Sequence, residues 1–351
     1  MTGFSEPCPQ SLLKTLTGLL PLFILPLIFA VADGEGGGNS DDKAYSFDGG
    51  VAFLEKVSKS WREEQECITC HTNGWALAAQ PVIAPGSKEV AAGREFAQGY
   101  LASFIKGEAK PTGQYGSVEG LVATTAFLAL SDARTESGVH KATRMGLDHA
   151  WELLDKSGTW EDWLQCNWPP FESDAEYGPT LMLVALGELK DAAKITVADQ
   201  RGAKKLMGYL RENEPVSLHA KVMRLWAASH WSKVAPSKSC RAWKEELLNA
   251  RGEDGGWSMA SLAGPAWKRD GGEAQTSTSE AYPTAFCVYV LLQTGVKRTD
   301  EVVADGLAWL RDNQREEGDW YTRSPRRDRK HYISRAATAF ALMALAENES
   351  K

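Results

Sequence analysis

Five consecutive residues, Cys67-Ile68-Thr69-Cys70-His71, set two thiols three positions apart with an imidazole directly behind them. That spacing is the attachment pattern of c-type heme. The thiols add to the porphyrin vinyl groups and the histidine becomes an axial ligand of the iron. The cofactor implied is covalent heme c on Cys67 and Cys70, with His71 on the metal. Other chemistries remain open for the same residues. A local disulfide between Cys67 and Cys70 suits an oxidising compartment. A thioredoxin-type pair wants a βαβ setting that a helical chain lacks, and a zinc site wants a second ligand pair, whereas Cys166, Cys240 and Cys287 are solitary and read as buried small hydrophobes. A sixth iron ligand would come from a Met or His elsewhere. His331 leads, because Arg323, Arg326, Arg327, Arg329 and Lys330 surround it and heme propionates favour a cationic loop. The same run also describes a solvated basic loop. His219 and His230 flank an apolar helix and read as core or surface histidines.

Acid catalysis is the second chemistry to consider. Glu172, Asp174 and Glu176 lie together in PPFESDAEYGPT, and Glu253 and Asp254 in RGEDGGW. Asp174 and Glu176 precede an apolar helix, a position from which a carboxylic acid can face a cavity, but holding such an acid protonated takes burial. Separated carboxylates are equally common in solvated turns.

The N-terminus bears on which chemistry is available. From Leu16 to Ala32 the sequence LTGLLPLFILPLIFAVA is uncharged, follows Lys14 and ends in Ala30-Val31-Ala32, small residues of the kind a signal peptidase requires. It is shorter than the ~20 residues that span a bilayer, and Pro21 and Pro26 interrupt it. Residues 1–32 therefore read as a cleaved secretory signal and the mature protein as secreted or periplasmic, with membrane contact only if the signal is retained. Residues 33–47, opening DGEGGGNSDDKA, read as a flexible linker. An exported chain reaches the place where c-type heme is attached. With a formal charge of -7 and both signs mixed along the chain, no cationic face is left for a nucleic acid.

These residues must be positioned by helices. Small-residue apolar runs recur at 124–131 (TTAFLALS), 180–189, 221–229, 285–295 and 337–347 (ATAFALMALAE), each with helical periodicity. Most follow a second helix and a Gly-rich turn ending in an aromatic. Gly306 to Gly318-Asp319-Trp320 and Gly146 to Gly158-Thr159-Trp160 have the same spacing, and weaker copies run from Trp243 to Gly256-Trp257, at Gly113-Gln114-Tyr115, and from Gly50 to Gly74-Trp75. Five copies of helix, Gly-aromatic turn and helix predict stacked helical hairpins. The Cys-x-x-Cys-His loop interrupts the first copy, so 48–347 reads as one domain with the motif near a rim.

The element Gln314, Gly318, Trp320 resembles the tryptophan repeat of squalene-hopene cyclases and the related protein prenyltransferases, over roughly residues 48 to 347. The resemblance implies an all-α fold, an α/α toroid of inner and outer helix rings, in which the Gln and Trp tie one outer helix to the next. It also implies, if the chemistry were retained, an isoprenoid or other apolar ligand in the toroid cavity. The family's catalytic signatures are missing: there is no Asp-x-Asp-Asp of the cyclases, no Asp-x-Cys of the zinc prenyltransferases and no Cys-Gly-Glu-Gln of the thioester-bearing relatives. For Trp320, Trp257 and Trp160 packing is the expected role. The expectation is an exported, monomeric or weakly associating toroid with one heme c, acting in electron transfer or redox sensing beside a redox protein partner. An enzyme acting on an apolar small molecule and a non-catalytic interaction scaffold are the alternatives. A filled centre favours transfer or scaffolding; an apolar cavity holding a buried carboxylate favours the enzyme.

Overall fold

The computed structural model describes residues 45–108, 118–136, 138–160, 163 and 168–346. The signal segment, most of the linker, Cys166 and the Gly113-Gln114-Tyr115 turn lie outside the described residues. Ser46 caps the first helix, its hydroxyl accepting from the Gly49 N–H at 2.9 Å, so Phe47, the last linker residue by sequence, is already helical.

Thirteen helices follow among the described residues: α1 (Phe47–Gln65), α2 (Asn73–Ile83), α3 (Lys88–Ile105), α4 (Val118–Ala133), α5 (Lys141–Leu153), α6 (Tyr177–Asp191), α7 (Val197–Glu212), α8 (Leu218–His230), α9 (Ser237–Asn249), the single turn α10 (Met259–Leu262), α11 (Ala281–Gln293), α12 (Glu301–Asp312) and α13 (Ile333–Ala346). No strand forms among them; Ser258 and Ser279 make one isolated bridge. Composition sorts the helices into two kinds. In α4 every residue from Leu121 to Asp132 is buried, and in α11 every residue from Ala281 to Leu291. In α12 only Val303, Gly306, Leu307 and Leu310 are buried, one stripe at helical spacing. A helix buried all round needs neighbours on every side, whereas a one-stripe helix needs them on one.

The packing meets both demands. The apolar helices α2, α4, α6, α8, α11 and α13 each pack on the next, and α13 packs on α2, which closes an inner ring of six. The amphipathic helices α1, α3, α5, α7, α9 and α12 alternate with them in the chain and cover the ring from outside. This is an all-α, α/α toroid of six helical hairpins. Sequence periodicity gave five, because the connection from α7 to α8, Asn213 to Ser217, carries no Gly-aromatic turn.

Where the turn exists, its bonding repeats. The indole Nε1 of Trp320 donates to Leu310 O at 2.7 Å, that of Trp257 to Leu247 O at 2.9 Å, and that of Trp160 to Ala150 O at 3.2 Å. Each reaches back to the end of the preceding outer helix and satisfies a carbonyl that the helix leaves unpaired. The glycine two residues earlier is left-handed each time, with φ of 92°, 87° and 89° at Gly318, Gly255 and Gly158. At Gly318 a Cβ would also fall 2.3 Å from Gly49 O. Gln314 joins the last repeat to the first: its Oε1 accepts from Ser46 N, and its Nε2 donates to Ser46 O, both at 2.8 Å.

Because inner and outer helices alternate, all six inner helices start at one rim. Connections from outer to inner helices lie there and include the long ones, 313–332 and 250–280, though 213–217 is short; the returns at the opposite rim are short, such as 84–87 and 192–196.

Candidate functional site

The axis of the ring is filled. Trp75 of α2 lies 4.4 Å from Phe340 of α13 and 5.9 Å from Trp226 of α8, ring centre to ring centre, and Trp226 lies 5.2 Å from Tyr289 of α11. Toward the long-loop rim, His219 stacks on Phe286 at 4.6 Å and its Nε2 is 2.9 Å from the Tyr282 hydroxyl; burial lowers its pKa to about 3. His219 is thus a neutral core histidine.

Cys67, Cys70 and His71 come together in the loop from α1 to α2, at the long-loop rim. The loop is shaped from within: Asn73 Oδ1 accepts from Thr69 N at 3.1 Å while its Nδ2 donates to Cys67 O at 2.9 Å. Both cysteines are buried. Cys70 Sγ lies 3.6 Å from Glu119 Oε1 at the start of α4, and the Tyr100 hydroxyl is pushed up mainly by burial, with Cys67 adding to it. His71 packs on the other side of the loop. Its ring stacks on Trp168 at 6.0 Å and on Tyr332 at 5.7 Å, with Trp61 edge-on at 5.9 Å. Among the described residues neither ring nitrogen has a hydrogen-bond partner. Burial, with the Arg335 charge adding to it, lowers the His71 pKa to about 4, so the imidazole is neutral at neutral pH.

That donor set fits a c-type heme in chemistry: two thiols within one loop and an imidazole whose lone pair is not taken by a proton. The space beside it is small. The cavity between His71, Trp168, Phe171, Pro325 and Ile333 measures about 10 Å³, room for a water and not for a macrocycle. Heme can sit against His71 on that side only with the Trp168 ring displaced. No three His, Cys, Asp or Glu side chains among the described residues converge as ligands for a bare metal ion.

His331 is not brought to His71. Its Nδ1 accepts from Ser324 N at 2.9 Å and its ring meets Tyr321 edge-on, which holds it within its own loop. The basic run around it is largely committed to carboxylates. Arg323 pairs with Asp328 at 2.5 Å and Glu273 at 3.0 Å, while Arg326 and Arg327 reach Asp270 at 3.3 and 3.1 Å and lie over Trp168. These arginines tie the long connections together, and the loop is no open propionate cradle.

Asp174 and Glu176 are placed at the head of α6 and supply the burial that sequence could not show. Asp174 Oδ1 accepts from Glu176 N at 2.9 Å and Tyr177 N at 3.1 Å; burial raises its pKa against those bonds. Glu176 is buried and pushed up to about 7 by desolvation, although Arg224, at 2.6 Å, pulls it down. Arg224 in turn donates to Leu210 O and Asn213 O, so Glu176 belongs to a joint between α6, α7 and α8.

Sequence reading missed Trp61, Trp168, Tyr332 and Arg335 at this rim and Arg134 at the other. A signal existed for the arginines: each stands at the edge of an apolar run, Arg335 in ISRAATAF and Arg134 after ALSDA. Arg134 crosses the short-loop end of the ring. It donates to both Glu188 oxygens at 2.7 and 2.6 Å, to Ala78 O at 2.7 Å, to the Tyr289 hydroxyl at 2.9 Å and to Met343 Sδ at 3.2 Å. Burial opposes its charge, but Glu188 and Tyr289 more than offset this and keep it protonated beyond the ordinary arginine range. It floors an open cavity of about 290 Å³ lined also by Asp191, His230 and Gln293.

This architecture defines an α/α toroid protein, and solved structures agree at the level of fold. A polysaccharide lyase matches with a TM-score of 0.54 at 12% identity, covering 87% of this chain and 99% of its own. The unsaturated glucuronyl hydrolase of Bacillus sp. GL1 also matches at 0.54 and 12%, covering 87% of this chain and 97% of its own. An ent-copalyl diphosphate synthase from Streptomyces platensis scores 0.49 at 14% identity; 85% of this chain aligns with 51% of that one. These neighbours are enzymes, and such identities speak to fold alone. The lyase and the hydrolase support the toroid, and neither singles out the squalene cyclases. No family model and no curated protein matches the sequence.

Proposed function

We propose that this chain is an exported toroid protein carrying covalent heme c on Cys67 and Cys70, with His71 as axial ligand, and that it acts in electron transfer or redox sensing with a redox protein as partner. The observation that carries the proposal is the neutral, hydrogen-bond-free His71 in the same loop as the two thiols. A heme bound there supplies a one-electron centre. The chain's own residues hold the imidazole: Tyr332 stacks on it and Trp61 meets it edge-on, while Trp168 gives way to the heme, and burial keeps protons from competing for the lone pair. The packed axis supports this reading over a terpenoid-type enzyme, since aromatic rings fill the middle of the ring and the open cavity at its short-loop end is floored by the Arg134–Glu188 ion pair and not by an apolar wall. Glu176 has a pKa suited to an acid, but its bidentate tie to Arg224 favours a structural use.

The deciding experiment is a pyridine hemochrome spectrum of protein made in a maturation-competent periplasm, before and after acid-acetone extraction. Colour retained through extraction supports the proposal. Colourless protein, two protons lighter at Cys67 and Cys70 by mass, would replace heme with a disulfide.

A further inference from the structure

Arg335 sits in the first turn of α13, where the helix end carries partial positive charge, and that turn holds no acidic residue. A guanidinium there is repelled by its own helix. Glu64 attracts it through space, yet no carboxylate among the described residues comes within ion-pair distance, and its Nη1 is buried without a hydrogen-bond partner. Its contacts are faces of aromatic rings: Cζ is 5.3 Å from the Trp61 centroid and 4.9 Å from that of Tyr332. Trp61, only 8% exposed, likewise has a buried Nε1 with no acceptor. Both rings touch His71. Two unmet donors on side chains that pack together, one of them cationic, are costly to bury unless something accepts from them. The acceptor's chemistry follows from the donors: guanidinium and indole N–H, at a helix N-terminus, select an anionic oxygen group.

We propose that Arg335 and Trp61 form a binding site for an oxyanion, a carboxylate or phosphate group, beside His71. If the heme reading holds, on which this part rests, the occupant is a propionate of the same heme; otherwise it is a free small oxyanion. The site differs from the Arg323–Lys330 run, where carboxylates already pair with the arginines of the loop.

Full-length protein is made with and without heme maturation. Inorganic phosphate is titrated into each while tryptophan fluorescence is followed, and the reduction potential of the heme form is measured. The heme-free form should bind phosphate, about tenfold more weakly in Arg335→Gln and in Trp61→Phe, which keeps the ring but loses the donor. A propionate occupant predicts that the heme form no longer binds phosphate. It also predicts that Arg335→Gln lowers the potential, because losing a cation favours the ferric state, whereas Arg335→Lys restores it and Arg327→Gln leaves it unchanged. A free oxyanion predicts equal phosphate binding in both forms. If no heme is found at all, the proposed function fails, and the phosphate titration still decides this site. Phosphate affinity and potential both unchanged in Arg335→Gln and Trp61→Phe would overturn it.

Discussion

The two rims of the toroid each bury an arginine against aromatic and apolar side chains, and they use it in opposite ways. At the short-loop rim Arg134 spends every donor on protein acceptors from α2, α6, α11 and α13. At the long-loop rim Arg335 keeps a buried Nη1 without an acceptor, beside Trp61 and a histidine in the same condition. A saturated arginine holds helices together, whereas an unsaturated one is a standing cost that a ligand can relieve. The contrast makes the surroundings of Arg335 the place where a cationic donor would gain most from a ligand, although His230 Nε2 at the short-loop rim also has no partner.

The largest test of that contrast is chemical. Cys67→Ala/Cys70→Ala should abolish covalent heme altogether, and His71→Ala should leave a five-coordinate or misligated iron with a shifted Soret band; absorbance spectra check both. Heme retained in the double variant would remove the long-loop rim from the redox reading. Next, Arg134→Ala should cost about 3–5 kcal/mol by stranding Glu188, which is 14% exposed at the side chain. Urea melts measure it, and a loss below 1 kcal/mol would erase the distinction between the arginines. The long-loop rim has its own fasteners, so Trp320→Ala should cost about 3 kcal/mol or more in the same assay. The pH dependence is gentler. His219 titrates near 6.5 when unfolded and is held at about 3 when folded, so its contribution is complete above pH 6.5 and is lost as pH falls toward 3, at about 1.4 kcal/mol per pH unit. His219→Phe should flatten that acid limb of the stability curve, and an unaltered slope would mean that the imidazole is protonated in the core. Arg335→Gln should be the mildest, changing stability by less than about 1 kcal/mol, because the variant breaks no ion pair.

What sequence showed and what it hid follow from range of interaction. Gly318 and Trp320 were readable because a left-handed glycine and a back-bonded indole act within ten residues of chain. The Cys67–His71 loop could be picked out as a candidate because its two thiols and imidazole are neighbours in the chain. The α7–α8 hairpin escaped because its turn is made by Pro215 and a Ser217 cap and not by glycine and an aromatic. The bonding around His331 was hidden, since its cationic neighbours look the same in sequence whether or not Asp270, Asp328 and Glu273 fold back onto them. Tyr332 and Arg335 reach His71 from the far end of the chain, a proximity that only ring closure creates.

The bond between Gln314 and Ser46 fixes an order of events. A chain that crosses a membrane from its N-terminus presents α1 and the Cys67–His71 loop long before Gln314 arrives, and the first hairpin waits with one flank open. Tyr332, which covers one face of His71, and Arg335, which lies over the neighbouring Trp61, arrive last. If the chain is exported and takes heme as proposed, the interval between the emergence of the loop and the arrival of α13 is the time in which an attachment enzyme would have its freest access to both thiols. Slowing the delivery of the last hairpin should raise the fraction of modified protein.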